Sequence, residues 1–537
     1  MAGAHARGAV SAFHFLRTRG LVRLSAALAL AVCVSPHASE THVDLFAAHP
    51  VCVIRIELTA GNVESLRAEN RKYVPANVRA LGEIFRDVGI HLKGSTGSFR
   101  SIDDKPGLTL DFERFVPDQR FRGLRKIHLN NCVEDSTYLK EQIGSELFRA
   151  ARVPVPRIGH AWVELNRRPL GLYVLKEGFT EEFLGRHFER ADGNLYDTDE
   201  GHDVNLPMKR HSGRDSANNQ IDLQRLAAAA LEPDLGRRWE RLQESLDVDR
   251  FVTFIALEVM ICHWDGYCLG RNNFRIYHDP TTQKFVFLPS GMDQLFAKAD
   301  MPWRPDMAGL VARGVMEVPE GRQQYAERFK ELYRTLLVSE RLTNRVNQLL
   351  IELRPFVKSD LFREMHREAA ELCLQIAERE LSLGRQLSEP EPQFPQFNHE
   401  MASLAAWKSS DEAGGARMRE MKTPAGKPAL QIIAGSRTAA SWRTTVLLSQ
   451  GRYRFRGQAQ VFGVTPLPFG KNHGANLRVA GRSQRSSRLT GTSAWKTLEV
   501  DFDVRVPEEK VELICELRAS AGEVRFERDS LVVIRQH

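Results

Sequence analysis

The sequence predicts an α+β fold that turns helical in its middle and ends in a β-sandwich, and three observations predict it. Between residues 51 and 188, short β-rich runs alternate with two helical patterns. Residues 222 to 387 carry apolar positions at helical spacing almost without a break. Past residue 428 the helical pattern stops, and short β-rich runs are punctuated by Gly, Ser and Pro at the spacing of an antiparallel sandwich. A chain of 537 residues is too long for one core. The expected division is 1–39, an export signal; 40–390, the α+β and helical domain; 391–427, a linker; and 428–537, the β-sandwich.

Each element has its own local reason. Arg17, Arg19 and Arg23 precede the apolar run LSAALALAVCV and then Ser35-Pro36, the pattern of a secretory signal. That run is shorter than the roughly 20 residues a spanning helix needs, so an exported chain without a transmembrane span is expected, periplasmic or at the cell surface. VCVIRIELT (51–59), GIHLK (89–93) and LTLDF (108–112) read as strands. Residues 136–151 read as a helix after the cap-like Asp135-Ser136. IGHAWVELNRRPLGLYVLKE reads as a hairpin, followed by a helix over 179–188. FRIYH and KFVFLP form a second hairpin around DPTTQ. Six cysteines lie outside the signal, and their spacings make neither a zinc pattern nor a CxxC.

Charge is unevenly placed. From Thr423 onward there are 18 Lys+Arg against 10 Asp+Glu, the signal adds four arginines, and residues 40–422 are left at about −5 of the total +7. A net negative middle argues against a nucleic-acid-binding protein and confines basicity to the C-terminal module. There Tyr453 and Phe455 alternate with Arg452, Arg454 and Arg456, giving one apolar and one cationic face. Two readings stand: a glycan- or polyanion-binding jelly roll, or a sandwich with solvated arginines. Trp442 and Trp495 are candidates for a sugar-stacking platform or for the core.

Two stretches carry residue types suited to phosphate chemistry. The loop Gly94-Ser-Thr-Gly97-Ser can wrap backbone N–H groups around phosphate oxygens, or serve only as a turn. Lys93 and Lys105 flank it. In HWDGYCLGRNNFRIYHDPTTQKFVFLPSGMDQLF, Asp265 follows a dense apolar helix, Asn272 and Asn273 offer neutral amide oxygens, and the hairpin brings Asp293 back. A hard cation bound with nucleotide phosphates needs only one or two protein carboxylates.

That stretch resembles the spore-coat kinase (CotH) family, as do IHLKGSTGSFRSIDDKPGLTLDF, LRKIHLNNCVEDSTYLKEQIGSELF, VELNRRPLGLYVLKEGFTEEFL and DGNLYD in the same order, over roughly residues 50–370. The resemblance implies a bilobal, atypical protein-kinase-like fold that moves the γ-phosphoryl of ATP to Ser or Thr of a secreted or envelope protein, with Mg or Mn. It implies Asp265 as the catalytic aspartate, Asn273 with Asn272 as metal ligands, and Asp293 holding metal against the phosphates. Lys105 is expected to pair with phosphate, with Lys93 as competitor, and Glu141 to pair with that lysine. Glu177 closes the segment expected beside adenine, and Gly94 and Gly97 the phosphate loop. Where many members have Trp-Asp-Leu-Asp, this chain has Ser290-Gly-Met-Asp293, losing one carboxylate. An inactive kinase-like scaffold with a glycan-binding module is the alternative.

Overall fold

The computed structural model describes residues 45–48, 51–95, 97–198, 200–213, 220–389, 393–468 and 473–536. The export-signal reading falls outside the described residues, as does Thr96 of the glycine-bearing loop. The chain divides into two compact units, with the boundary after Ser382.

In the first unit, alternating apolar residues close a seven-stranded barrel. Its strands are β1 (Cys52–Glu57), β2 (Val74–Ala80), β3 (Glu83–Lys93), β4 (Gly107–Asp111), β5 (Lys126–Asn130), β6 (Ile158–Leu165) and β7 (Arg168–Glu177), paired in the order β1-β2-β3-β4-β5-β7-β6. Closure comes from the parallel pairing of β1 with β6. Ile54, Val78, Ile90, Leu110, Leu129, Val163 and Leu175 point into one core. The β6–β7 hairpin turns on Asn166 and Arg167, both left-handed at φ 48° and 65°, which suits the twist of a two-residue turn.

Two boundaries differ by four residues or more from the sequence reading, which also named no strand at β2 or β5. β3 starts at Glu83, because the exposed, mixed stretch EIFRDV pairs through its backbone without showing an apolar alternation. The helix expected from 136 runs Lys140–Ala150. Tyr138 is left-handed at φ 61°, and Asp135 instead accepts from the backbone N–H groups of Thr137 (3.1 Å) and Lys140 (3.0 Å), acting as a remote cap.

Beyond the barrel, a four-stranded sheet has the order β11-β10-β8-β9, from β8 (Asn194–Asp197), β9 (Lys209–Ser212), β10 (Phe274–Asp279) and β11 (Lys284–Pro289). Helices cover residues Ile221–Leu231, Leu235–Ser245, Val248–Met260, Leu310–Glu317, Pro319–Thr335, Ser339–Leu353 and Ser359–Ser388. The helix Val248–Met260 is buried except at Asp249 and Arg250, so it forms the centre of this part. Its Phe251 meets Phe287 of β11 edge-on at 4.7 Å.

That helix ends against a buried arginine. Arg379, fully buried, donates to the carbonyls of Val259 (2.9 Å), Met260 (3.1 Å) and Ala299 (3.0 Å), and also to Met301. The last carbonyls of a helix have no partner within it, and a cation there also meets the negative end of the helix dipole. Among the described residues no helix is long and apolar enough to cross a membrane.

In the second unit the strands form two layers. Residues 438–449 pair with 508–519, Thr438 opposite Ala519 and Ser449 opposite Glu508, while 451–466 pair with segments of 491–504 and 519–536. Gly474–Val479 adds to 513–518 of the first layer, and Pro428–Ile433 to 523–527 of the second. Ala440, Trp442, Leu477, Cys515, Phe455, Val461 and Phe526 meet in one core between them. The stretch read as a linker contains strands Met401–Ser403, Lys408–Asp411 and Arg417–Lys422. These are short and polar, and they are held by backbone pairing, which leaves no apolar signal in sequence.

Tyr453 and Phe455 are core residues, as is Trp442, whose indole N–H donates to the Gln431 carbonyl. Trp442 is therefore no sugar platform, and Trp495 is partly exposed. The arginine face is a ladder of ion pairs: Arg454 binds Asp501 with two contacts (2.6 and 2.9 Å) and Glu499 at 3.3 Å, and Arg452 lies 3.7 Å from Asp503.

Arg379→Met is expected to destabilise the first unit by about 3 kcal/mol or more, since it leaves several buried carbonyls without donors. A urea-unfolding midpoint equal to that of the unsubstituted chain contradicts this role.

Candidate functional site

The helix Val248–Met260 delivers the chain into a tight loop that holds Asp265. Glu258, fully buried near the helix end, accepts from the backbone N–H groups of Tyr267 (2.9 Å) and Cys268 (2.8 Å), which fastens the loop beneath the aspartate. The close approach requires glycine at 266, where a Cβ would lie 2.7 Å from His263 Nδ1 and collide with Glu258. Fully buried His263 donates through Nε2 to the Gly291 carbonyl at 3.1 Å, joining this loop to the segment carrying Asp293.

Asp265 is gripped by the two asparagines. The Asn273 amide donates to its Oδ2 at 2.7 Å, and the Asn272 amide lies 3.1 and 3.2 Å from its two oxygens. The hairpin β10–β11 then returns the chain. Asp279 stabilises the turn by accepting from Thr281 N–H and Thr282 Oγ1, and Ser290 N–H donates to the Asn273 carbonyl at 2.9 Å. The return expected from sequence is therefore the arrangement found: Asp265, Asn272, Asn273 and the segment leading to Asp293 are neighbours.

Gly291 sits at the position where the family resemblance implies a carboxylate. Its φ is +55°, and a Cβ there would collide with the Asn273 amide. Glycine at 291 thus makes room for the asparagine that holds Asp265.

The cationic part of the site comes from the barrel. Lys176 Nζ, near the end of β7, lies 2.5 Å from Glu141 Oε1 and 3.0 Å from Ser290 Oγ. Glu141 Oε2 accepts from the Asn130 amide at 2.7 Å, and Lys93 Nζ donates to Asn130 Oδ1. Burial works against the charge on Glu141, but Lys176, aided by Lys93 and Asn130, holds its carboxyl below the usual range. Desolvation, reinforced by Lys176 and opposed by Glu141 and Asp293, lowers Lys93 to about 8. Burial, then the charges of Glu141 and Glu134, push Asp293 up to about 7.

Sequence-predicted residues part company here. Glu141 does pair with a lysine, but with Lys176 in place of Lys105. Lys105 instead donates to the Tyr138 hydroxyl at 2.6 Å and lies over the rings of Tyr138 and Tyr173. Lys93 joins the Glu141 cluster. Gly94 and Gly97 have φ of 118° and 95°, a conformation suited to glycine, and the Glu134 carboxylate lies against Gly97, where a Cβ would be 2.6 Å from it. Glu177 is fully buried, with both oxygens taken by Arg157 and Arg186. Lys176, Asn130, Ser290, Glu134 and His263 are the residues sequence reading missed. The one signal was Lys176 itself, a lone cation in the fully buried run LYVLKE.

Among the described residues no three His, Cys, Asp or Glu side chains stand together as a metal cluster. Asp293, Asn272 and Asn273 are of the residue types, one carboxylate and neutral amides, that Mg or Mn accepts when phosphate and water complete its shell.

Two outcomes are expected. Gly291→Ala should lower stability by about 1–2 kcal/mol through left-handed strain and displacement of Asn273; an unchanged melting temperature contradicts the crowding. A carboxyl whose folded pKa is raised costs stability as pH climbs from its unfolded value through about 7. Asn at position 293 should therefore raise the melting temperature of the ligand-free protein at pH 8, with the gain fading towards pH 4. A gain independent of pH contradicts the ionisation argument.

A family model described as CotH kinase protein matches residues 90–383. Inner spore coat protein H of Bacillus subtilis (strain 168) is 21% identical over 300 residues, covering 51% of this chain and 82% of that protein. Invasin CotH2 of Rhizopus delemar is 23% identical over 272 residues, covering 43% of this chain and 44% of the invasin, so the chain spans less than half the length of that relative. A carbohydrate-binding module solved with β-1,4-galactotriose is similar at 17% identity over 25% of this chain and 91% of that one, with a TM-score of 0.19, too low to bear on fold or ligand. The family match covers more than half of the chain and contains the whole loop, hairpin and lysine–glutamate cluster: the chain belongs to the CotH kinase protein family.

Proposed function

We propose that the chain is an exported, metal-dependent kinase that transfers the γ-phosphoryl of ATP to a Ser or Thr hydroxyl of a secreted or envelope protein. The observation that carries this reading is the cluster of Lys93, Lys176, Glu141 and Asn130, joined through Ser290 to the segment that holds Asp293 and, beyond it, to Asp265. Two lysines beside one glutamate leave positive charge for phosphate oxygens. Asp293 and the asparagine oxygens would hold a divalent cation, which would supply neutralisation of the phosphate charge.

Asp265 is gripped by amide donors, which fix its orientation. It accepts a hydrogen bond from the substrate hydroxyl and aligns that oxygen with the γ-phosphorus. As the new P–O bond forms, the bond to ADP breaks, and the hydroxyl proton passes to Asp265. Positioning and charge supply the acceleration.

The loss of a carboxylate at Gly291 favours the second reading, a kinase-like scaffold without catalysis. One experiment separates the two. ATP with Mn at 100 times its Kd stabilises a binder by about 2.7 kcal/mol, a visible rise in melting temperature. The rise should be lost in Lys176→Ala and kept in Lys105→Ala. Asp265→Ala and Asp293→Ala should each remove labelled phosphate incorporation into a native secretome while remaining folded. Incorporation that persists in both variants excludes the kinase reading, and the absence of any nucleotide-dependent shift supports the scaffold.

A further inference from the structure

The outer face of one layer of the β-sandwich carries a polar cluster that the kinase reading does not use. Asn476 and Arg478 alternate with core residues Ala475, Leu477 and Val479, and Glu516 and Arg518 alternate with core residues Cys515 and Leu517. Asn476 stands opposite Glu516, and Glu516 opposite Ser441, so they share one face. Arg485 is brought beside Arg478 by a bridge between their backbones. The guanidinium groups of Arg478 and Arg518 both reach Glu516 Oε1, at 3.2 and 3.1 Å.

This cluster is built but incompletely satisfied. Asn476 and Glu516 are only 2% and 3% exposed. Among the described residues, Asn476 Oδ1, Glu516 Oε2, Arg478 Nε and Arg485 Nη1 have no hydrogen-bond partner. Buried polar groups are paired in the great majority of cases, so four orphans on one face set this cluster apart from the fully paired arginine ladder on the other layer. Burial depresses the Arg485 pKa, with Arg478 and Arg518 adding to the effect and Glu516 opposing it, consistent with one compact cluster.

The orphans are two acceptors and two donors. A phosphate or sulfate offers acceptors to the arginines but nothing to Asn476 Oδ1, and Glu516 repels it. A sugar hydroxyl both donates and accepts, and adjacent hydroxyls on a ring present the two functions side by side. We propose that the face formed by Asn476, Arg478, Arg485 and Glu516 binds a glycan chain through its hydroxyl groups.

The proposal is independent of nucleotide chemistry, so it stands or falls apart from the kinase reading. Calorimetric titration of the full chain with cellohexaose, xylohexaose, hexagalacturonate and inorganic polyphosphate tests it. Saturable binding of at least one hexaose is expected, with the neutral and uronate arms reporting whether the chain recognised is charged. Glu516→Gln and Asn476→Asp, close in shape to the originals, should weaken that binding at least tenfold, and Arg452→Ala on the other layer should leave it unchanged. Should either buried variant melt early, the partly exposed Arg485→Lys provides the same comparison. No saturable heat from any hexaose overturns the proposal, as does polyphosphate binding as tight as the best sugar and unaffected by Glu516→Gln.

Discussion

The first unit is organised around one buried carboxylate shared among cationic and amide donors. Glu141 is 3% exposed and Lys176 5%, and neither charge is stable there without the other. Their contact joins the helix Lys140–Ala150 to β7, Asn130 carries it to β5, Lys93 to the end of β3, and Ser290 to the exit of β11. A helix packed on a barrel by apolar contact alone can slide. One whose glutamate must meet a lysine and an amide at hydrogen-bond distance has a fixed position. The rest of the site takes its geometry from that.

Much of the fold was legible, because barrel strands, hairpins and the helical middle each carry a period that survives in sequence. The hairpin returning to Asp265 was legible for another reason: its turn, Asp279-Pro280-Thr281-Thr282-Gln283, contains the groups that close it. Lys176 was not legible in the same way. Lys93 and Lys176 lie at or near strand ends and Lys105 just ahead of a strand, and only tertiary pairing decides which meets Glu141. Lys105 turns away to Tyr138, an option created by the left-handed backbone at Tyr138, which no periodicity records. The strands Met401–Ser403 and Lys408–Asp411 were invisible for the converse reason: edge strands of polar residues owe their form to backbone partners.

Ser290-Gly291 takes on a different meaning in three dimensions. In sequence the pair is a deletion of a carboxylate. In the structure, Ser290 bonds Lys176, and Gly291 admits Asn273 to the place a side chain would fill. A residue with a Cβ at 291 and the present Asn273 conformation exclude each other, so the amide grip on Asp265 and the glycine arise together. The missing charge also bears on Asp293, which faces Glu141 and Glu134 without a further acid at 291 and is already raised to about 7. Another carboxylate there would add to the same repulsion.

The second unit shows why net charge is a poor guide to binding. Its basic excess, visible in sequence, is spread over two outer faces of one sandwich. On one, Arg452 and Arg454 find Asp503, Asp501 and Glu499 across the strands, and the charge is spent internally. On the other, three arginines converge near a single glutamate while two acceptors and two donors stay unmatched. Coulomb attraction treats the faces alike, since both are rich in arginine. Hydrogen-bond satisfaction separates them, because a solvated ion pair of the first kind is worth little and gives little when broken, whereas a buried unmatched donor or acceptor gains most of a hydrogen bond from any ligand that supplies its complement.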